Sequence, residues 1–226
     1  MPTVTTEGLI LKRKDFGEAD RVLTALCRRF GKISIIARGV RKVTSRRAGN
    51  VEVLNLVKMH LFKSRNYTLT EAEALETFPR IKDNLTLSAS AFHIIELVDR
   101  LVPEGEKNER IFDLTVAVLK ALEENPRQIF IRAFEVKLLT LLGFWAEGAV
   151  SPDLIGAKDL DYQNHPRSNR GLYLLELLSE KSWEEIAKME LSADEAIELE
   201  RVLRYYIERI LESSLKSAKV LEKLRK

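Results

Sequence analysis

The stretch that decides the fold is Gly31-Lys-Ile-Ser-Ile-Ile-Ala-Arg-Gly39, continued by Val40-Arg-Lys-Val-Thr-Ser-Arg-Arg-Ala-Gly-Asn50. Its first part alternates. Ile33, Ile35 and Ala37 fall on one face, and Lys32, Ser34, Ile36 and Arg38 on the other, which is the two-residue period of a strand. Gly39 closes it. The second part has no apolar period and carries Arg41, Lys42, Arg46 and Arg47, so it reads as a long basic connection. Upstream, residues 4–14 are rich in Thr, Ile and Leu, residues 16–20 supply turn chemistry, and residues 21–30 form a second apolar run that Gly31 breaks. Downstream, residues 51–63 and 67–75 read as two more strands joined by Ser64-Arg-Asn66, a short hairpin loop. Five strands, with the long connection between the third and fourth, match an all-β five-stranded OB-fold barrel. An SH3-like barrel is the structural alternative, and periodicity alone does not separate the two.

From residue 79 onward the period is helical. Ile81, Leu85, Phe92, Ile95, Val98 and Val102 predict one helical face ending at Pro103-Glu-Gly105. Asn108 is placed to cap a second helix through Glu124, with Ile111, Leu114, Val118 and Leu122 inward. Asn125-Pro126 predicts the start of a third, ended by Gly143. Two capping boxes follow, Ser182-Trp-Glu-Glu185 and Ser192-Ala-Asp-Glu195, the second opening a long helix with Ile197, Val202 or Leu203, and Ile207 inward. The expected organisation is an OB-fold domain over residues 1–79 and an all-α bundle over residues 80–226, with residues 143–171 an irregular connector.

The chain has 226 residues, 45% of them hydrophobic and 31% charged, a composition that fits a folded soluble protein and argues against disorder. Its longest run without a charged side chain, residues 84–95, is too short to span a bilayer, which takes roughly 20 apolar residues. The opening Met-Pro-Thr-Val-Thr-Thr-Glu lacks the pattern of a signal peptide, so the expected location is cytoplasmic. The single Cys excludes a disulfide framework. Cys27 reads as a buried structural thiol. His60, His93 and His165 are far apart and form no metal-ligand spacing. With no phosphate-binding glycine loop either, no catalytic constellation emerges, and the chain is not expected to be an enzyme.

Charge carries the functional signal. The net charge is +3 overall, with 37 Lys and Arg against 34 Asp and Glu. Residues 1–80 hold 16 basic and 8 acidic side chains, a net of +8, while the remainder is at −5. Between Arg28 and Arg47 lie eight basic residues and no acid. A one-signed field on a small barrel attracts polyanions. Aromatics are few there (Phe16, Phe30, Phe62, Tyr67 and Phe78), and some must fill the core. The expectation is therefore a barrel that holds phosphates, with strong salt dependence, and leaves base edges free for pairing. Lys14, Arg13, Arg28, Arg46, Arg47 and Arg65 are nucleic-acid-binding candidates from this charge reading. An RNA-binding or translation-associated OB module, or a scaffold whose barrel binds an acidic protein, would share the charge.

Five segments carry a resemblance. They are Glu7-Gly-Leu-Ile-Leu-Lys-Arg-Lys-Asp-Phe-Gly-Glu-Ala-Asp-Arg-Val-Leu-Thr24 with Phe30-Gly-Lys-Ile-Ser-Ile-Ile-Ala-Arg-Gly-Val-Arg-Lys42; Tyr67-Thr-Leu-Thr-Glu-Ala-Glu73; Glu96-Leu-Val-Asp-Arg-Leu-Val-Pro-Glu-Gly-Glu106; and Arg132-Ala-Phe-Glu-Val-Lys-Leu-Leu-Thr-Leu-Leu-Gly-Phe144. In this order, over residues 1–145, they resemble the bacterial DNA repair and recombination mediator family RecO. The resemblance implies an OB-fold followed by helices, and a non-enzymatic, nucleoid-associated mediator. Such a protein binds single- and double-stranded DNA, anneals complementary strands, contacts the acidic C-terminal tail of single-stranded DNA-binding protein, and helps RecA load together with RecR. It places the DNA face on Lys32, Arg38, Arg41 and Lys42, and tail binding on Arg132 and Phe134. Without the resemblance, Arg132 reads equally well as a salt-bridge partner of Glu135 or Glu124. Many members carry CxxC pairs that hold zinc after the Leu-Leu-Gly segment. Residues 143–171 here contain no Cys, so neither a zinc site nor any other cofactor is expected.

Overall fold

A computed structural model of the chain describes residues 3–145 and 167–224. The described chain forms two compact units, residues 1–116 and 117–226. The first contains five strands, β1 (Thr3–Phe16), β2 (Asp20–Cys27), β3 (Gly31–Ala37), β4 (Leu56–Lys63) and β5 (Tyr67–Glu76), then α1 (Pro79–Asp83), α2 (Leu85–Leu101) and the first half of α3 (Glu109–Glu124). The second contains the rest of α3, α4 (Ile129–Leu141), α5 (Arg167–Glu180), α6 (Trp183–Lys188), α7 (Ala193–Leu211) and α8 (Lys216–Leu224).

The strands close in the order β1-β2-β3-β5-β4, with β4 returning to β1. All neighbours are antiparallel except β3 and β5, which run parallel. This is the OB order, and it separates the OB-fold from the SH3-like alternative. Closure follows from β1, whose 14 residues serve two partners. Its first half pairs with β4 and its second with β2, with a bulge between Ile10 and Lys12. The core consists of inward strand residues such as Ile10, Leu23, Ile33, Ile35, Val57, Met59 and Leu61, topped by Val40 and Val51 from the long connection. The alternation of residues 32–38 holds as read: Ile33, Ile35 and Ala37 are buried.

Two glycines mark close approaches. A Cβ on Gly8 would sit 2.2 Å from Met59 Cε and 3.1 Å from Cys27 Sγ, so this position lets β1 press onto the core. Gly31 has φ +67°, and a Cβ there would lie 1.9 Å from the backbone oxygen of Glu106. The β2–β3 turn thus rests directly on the segment that precedes α3, and only glycine meets both conditions.

Several boundaries differ from the sequence reading. The fourth strand begins at Leu56, not at residue 51. Residues 51–55 form a turn in which Leu54 has φ 72° and Asn55 Nδ2 donates to the carbonyls of Gly49 and Asn50. The first helical stretch is broken, because Asn84 is extended and caps α2 by accepting from Leu87 N. Leu85 and Phe92 consequently face solvent, while Ile95 and Val98 are buried as read, together with Ala91, Ile94 and Leu97. In α7, Ile197 is exposed while Leu199, Val202, Leu203 and Ile207 are buried. α4 starts at Ile129, three residues beyond Pro126. Residues 167–171 are helical, the first turn of α5, whereas the sequence reading made them part of the irregular connector. The remainder of that connector, residues 146–166 with His165, lies outside the described residues. Both capping boxes form as read, each with the Ser side chain and the Glu side chain reciprocally bonded.

Candidate nucleic-acid interface

Cross-strand neighbours share a face of the sheet, so the register locates the outer surface of β1, β2 and β3. One row runs Lys14, Val22, Ile36 and Thr68, and the next runs Lys12, Thr24 and Ser34. Phe16 and Asp20 pair at the strand ends. This half of the surface is open: Lys14 and Phe16 are exposed, and Val22, Thr24 and Ile36 are half-buried. The other half is covered. Leu9 and Leu26 are buried there, and α2 packs on β1. Lys12 marks the border by pairing with the carboxylate of Asp99 in α2.

The ten cations named from sequence divide into two sets by what they touch. Five are engaged inside the unit. Arg13 pairs with Glu52. Arg41 reaches Asp15 at 3.4 Å and the Gly17 carbonyl at 3.2 Å. Arg28 is held by Glu7 at 3.0 Å and by Asp113 at 2.7 Å, and its guanidinium lies 4.6 Å from the centre of the Phe112 ring. Burial pulls the Arg28 pKa down, but the bonds and charges of Glu7 and Asp113 outweigh it and leave it raised. Lys32 is half-buried and donates to the Asp99 carbonyl. Burial holds its pKa below the ordinary lysine value despite the attraction of Asp99 and Glu104. Arg47 donates to three main-chain carbonyls, Leu69 at 2.9 Å, Thr70 at 3.1 Å and Arg38 at 2.9 Å. It is the strut that fastens the basic connection to β5 and to the end of β3. All five of these DNA-binding candidates thus have partners within the first unit.

The other five remain available. Lys14, Arg38, Lys42, Arg46 and Arg65 are exposed and make no ion pair among the described residues. Arg38, Lys42 and Arg46 line an open concavity of about 610 Å³, together with Asp20, Gly39, Thr44, Ser45 and Arg47. Asp20 supplies its one carboxylate, which accepts the Gly39 N–H at 2.7 Å and so fixes the turn after β3. The Ser45 hydroxyl oxygen is buried there without a hydrogen-bond partner. A strongly positive hollow beside a half-apolar strand surface has the charge to hold phosphates. Phe16, which the sequence reading put at the start of a turn and among the few aromatics of the barrel, stands 61% exposed at the edge of this surface.

The two residues assigned to tail binding are placed differently. Phe134 is fully buried in α4, and Arg132 is only 6% exposed, with its guanidinium 3.0 Å from Glu135 one turn along. The ion pair with Glu135 is the alternative that the sequence left open. Both side chains are thus enclosed within the second unit.

No set of three or more His, Cys, Asp and Glu among the described residues is placed to hold a metal ion. Cys27 lies in the barrel core, where burial pushes its thiol up to about 12. It does not fit the thiolate set that a zinc site requires. No helix among the described residues is long and apolar enough to cross a membrane.

The family described as Recombination protein O N terminal matches residues 1–78, and Recombination protein O C terminal matches residues 82–219. A DNA repair protein RecO from Roseiflexus is 31% identical over 97% of this chain and 85% of its own length. One from Dehalococcoides mccartyi is 28% identical over 97% of the chain and 95% of its own length. One from Pelotomaculum thermopropionicum is 37% identical over 64% of the chain, a match that spans 57% of its own length. With both halves of the chain matched in order, the protein belongs to the RecO family of DNA repair and recombination proteins.

Proposed function

We propose that this chain is a recombination mediator that holds DNA on the open half of the barrel. Lys14, Arg38, Lys42, Arg46 and Arg65 grip phosphates on that half and leave base edges free. The single observation that supports it is the separation of the cations: three are paired with carboxylates and two are held by main-chain carbonyls within the unit, while Lys14, Arg38, Lys42, Arg46 and Arg65 are exposed and make no ion pair among the described residues, three of them lining one concavity. Such binding accepts both single and double strands, because a phosphate carries no sequence information. Two coated complementary strands brought together this way can anneal. Partnership with single-stranded DNA-binding protein and RecR, in support of RecA loading, follows from family membership, and the protein itself acts without turnover. No residue is assigned to the tail contact, since Arg132 and Phe134 are inside. The test is a strand-annealing assay on DNA coated with cognate single-stranded DNA-binding protein, run across a salt series. Annealing that fades with salt, and is lost in Arg38→Glu/Arg46→Glu, supports the reading. A double variant that anneals like the parent refutes the site. Preference for structured RNA over single-stranded DNA would favour an RNA-binding module instead.

A further inference from the structure

Phe16 is the one exposed aromatic ring on the open half of the barrel surface among the described residues. It ends β1 opposite Asp20, at the rim of the concavity lined by Arg38, Lys42 and Arg46. Lys14 lies two residues away on the same side of the strand, roughly 7 Å along it. Val22 and Ile36 continue the surface as half-buried apolar side chains. A phosphate grip alone gives no reason for an exposed ring at this place. A ring with Lys14 on its own strand and the cations of the concavity beyond Asp20, while Asp15 beside it is engaged by Arg21 and Arg41, suits a nucleobase, which is apolar on its faces and tethered to a phosphate on either side.

We propose that Phe16 is a stacking platform for one unpaired base, so that this surface distinguishes single strands from duplex. The inference rests on the phosphate-binding reading above and adds the ligand's base to it. In a duplex the base faces are already occupied by their neighbours, and the ring finds no partner. In a single strand one face is available. Stacking uses that face and leaves the pairing edge open, so the bound base can still meet its complement, and the ring is released as the new duplex stacks.

The experiment measures the affinity of the full chain for a labelled oligothymidylate and for a mixed-sequence duplex across a salt series, in the parent, Phe16→Ala and Phe16→Trp. Phe16→Ala should weaken oligothymidylate binding by about five- to a hundredfold, leave the salt slope unchanged, and leave duplex affinity near the parent value. Phe16→Trp should restore single-strand affinity, with its added fluorescence quenched by the oligonucleotide. The parent, which carries Trp145 and Trp183, supplies the background. Since the side chain is exposed, thermal melting should show both variants folded. Unchanged oligothymidylate affinity in Phe16→Ala, an equal loss on duplex, or an unquenched Trp overturns the stacking role and leaves the phosphate reading standing. Absence of salt-dependent binding in the parent overturns both.

Discussion

Replacing Arg46 by Ala and, separately, Arg28 by Ala asks the structure to tell two arginines apart that the sequence presents alike. Each phosphate neutralised on a single strand contributes about 0.7 to the slope of log K against log salt, so five available cations give a slope near −3.5. Raising salt fourfold, from about 50 to about 200 mM, then weakens binding roughly a hundredfold. Arg46→Ala removes one contact, so the slope should fall to about −2.8 and the loss over the same range to roughly fiftyfold. Arg28 is already claimed by Glu7, Asp113 and the Phe112 ring. Arg28→Ala should therefore leave the slope at its parent value and appear in the melting temperature instead. Fluorescence anisotropy of a labelled oligothymidylate, repeated at five or more salt concentrations, reads the slope, and calorimetry reads the stability. If Arg28→Ala lowers the slope as much as Arg46→Ala does, or if Arg46→Ala leaves it untouched, the division of the cations is wrong.

Three further outcomes follow from the same geometry. Gly31→Ala should destabilise the first unit by 2 kcal/mol or more in urea unfolding, since a positive φ costs an ordinary residue about 1–2 kcal/mol and the new methyl group also meets the Glu106 carbonyl. Arg47→Ala should loosen the basic connection, because a hydrogen bond to a charged group is worth about 1.5–3 kcal/mol and three carbonyls lose this donor. Amide exchange in residues 40–50 and 69–70 should accelerate, and equal protection would refute the strut. Cys27 should resist thiol reagents at pH 8 until the protein unfolds. Because burial raises its pKa from 9.0 to about 12, its contribution to stability is intact below pH 9 and declines between pH 9 and 12 by roughly 1.4 kcal/mol per pH unit, as the unfolded thiol ionises first. A Cys27→Ser variant that shows the same alkaline decline would refute that assignment.

The barrel was legible because its signals are local. The alternation of residues 32–38, the turn at residues 64–66 and the long basic connection are each read within one segment, and together they indicate a five-stranded barrel, while the pairing of β3 with β5 that fixes the OB order is seen only in the structure. The capping boxes were legible for the same reason, as Ser182 with Glu185 and Ser192 with Glu195 complete their bonds within one turn. The site was legible only as a charge density. Which cations stay available depends on partners distant in sequence: Glu52 for Arg13, Asp113 for Arg28, and the carbonyls of β5 for Arg47. No window of sequence contains those pairs. Phe134 is the opposite case. A motif supplied its role, and α4 encloses it because its neighbours Phe130, Ile131, Val136 and Leu138 are buried on all sides of the helix.

The bulge in β1 has an effect out of proportion to its size. Ahead of it, Gly8 and Ile10 point inward; past it, the even-numbered side chains point outward and Arg13 takes the inward side opposite Leu23. A regular ladder would carry Leu11, Arg13 and Asp15 to the outside and turn Lys14 and Phe16 toward the interior. One supernumerary residue thus rephases the strand halfway along. The same β1 is thereby a sealing stave at one end and a ligand-facing rail at the other.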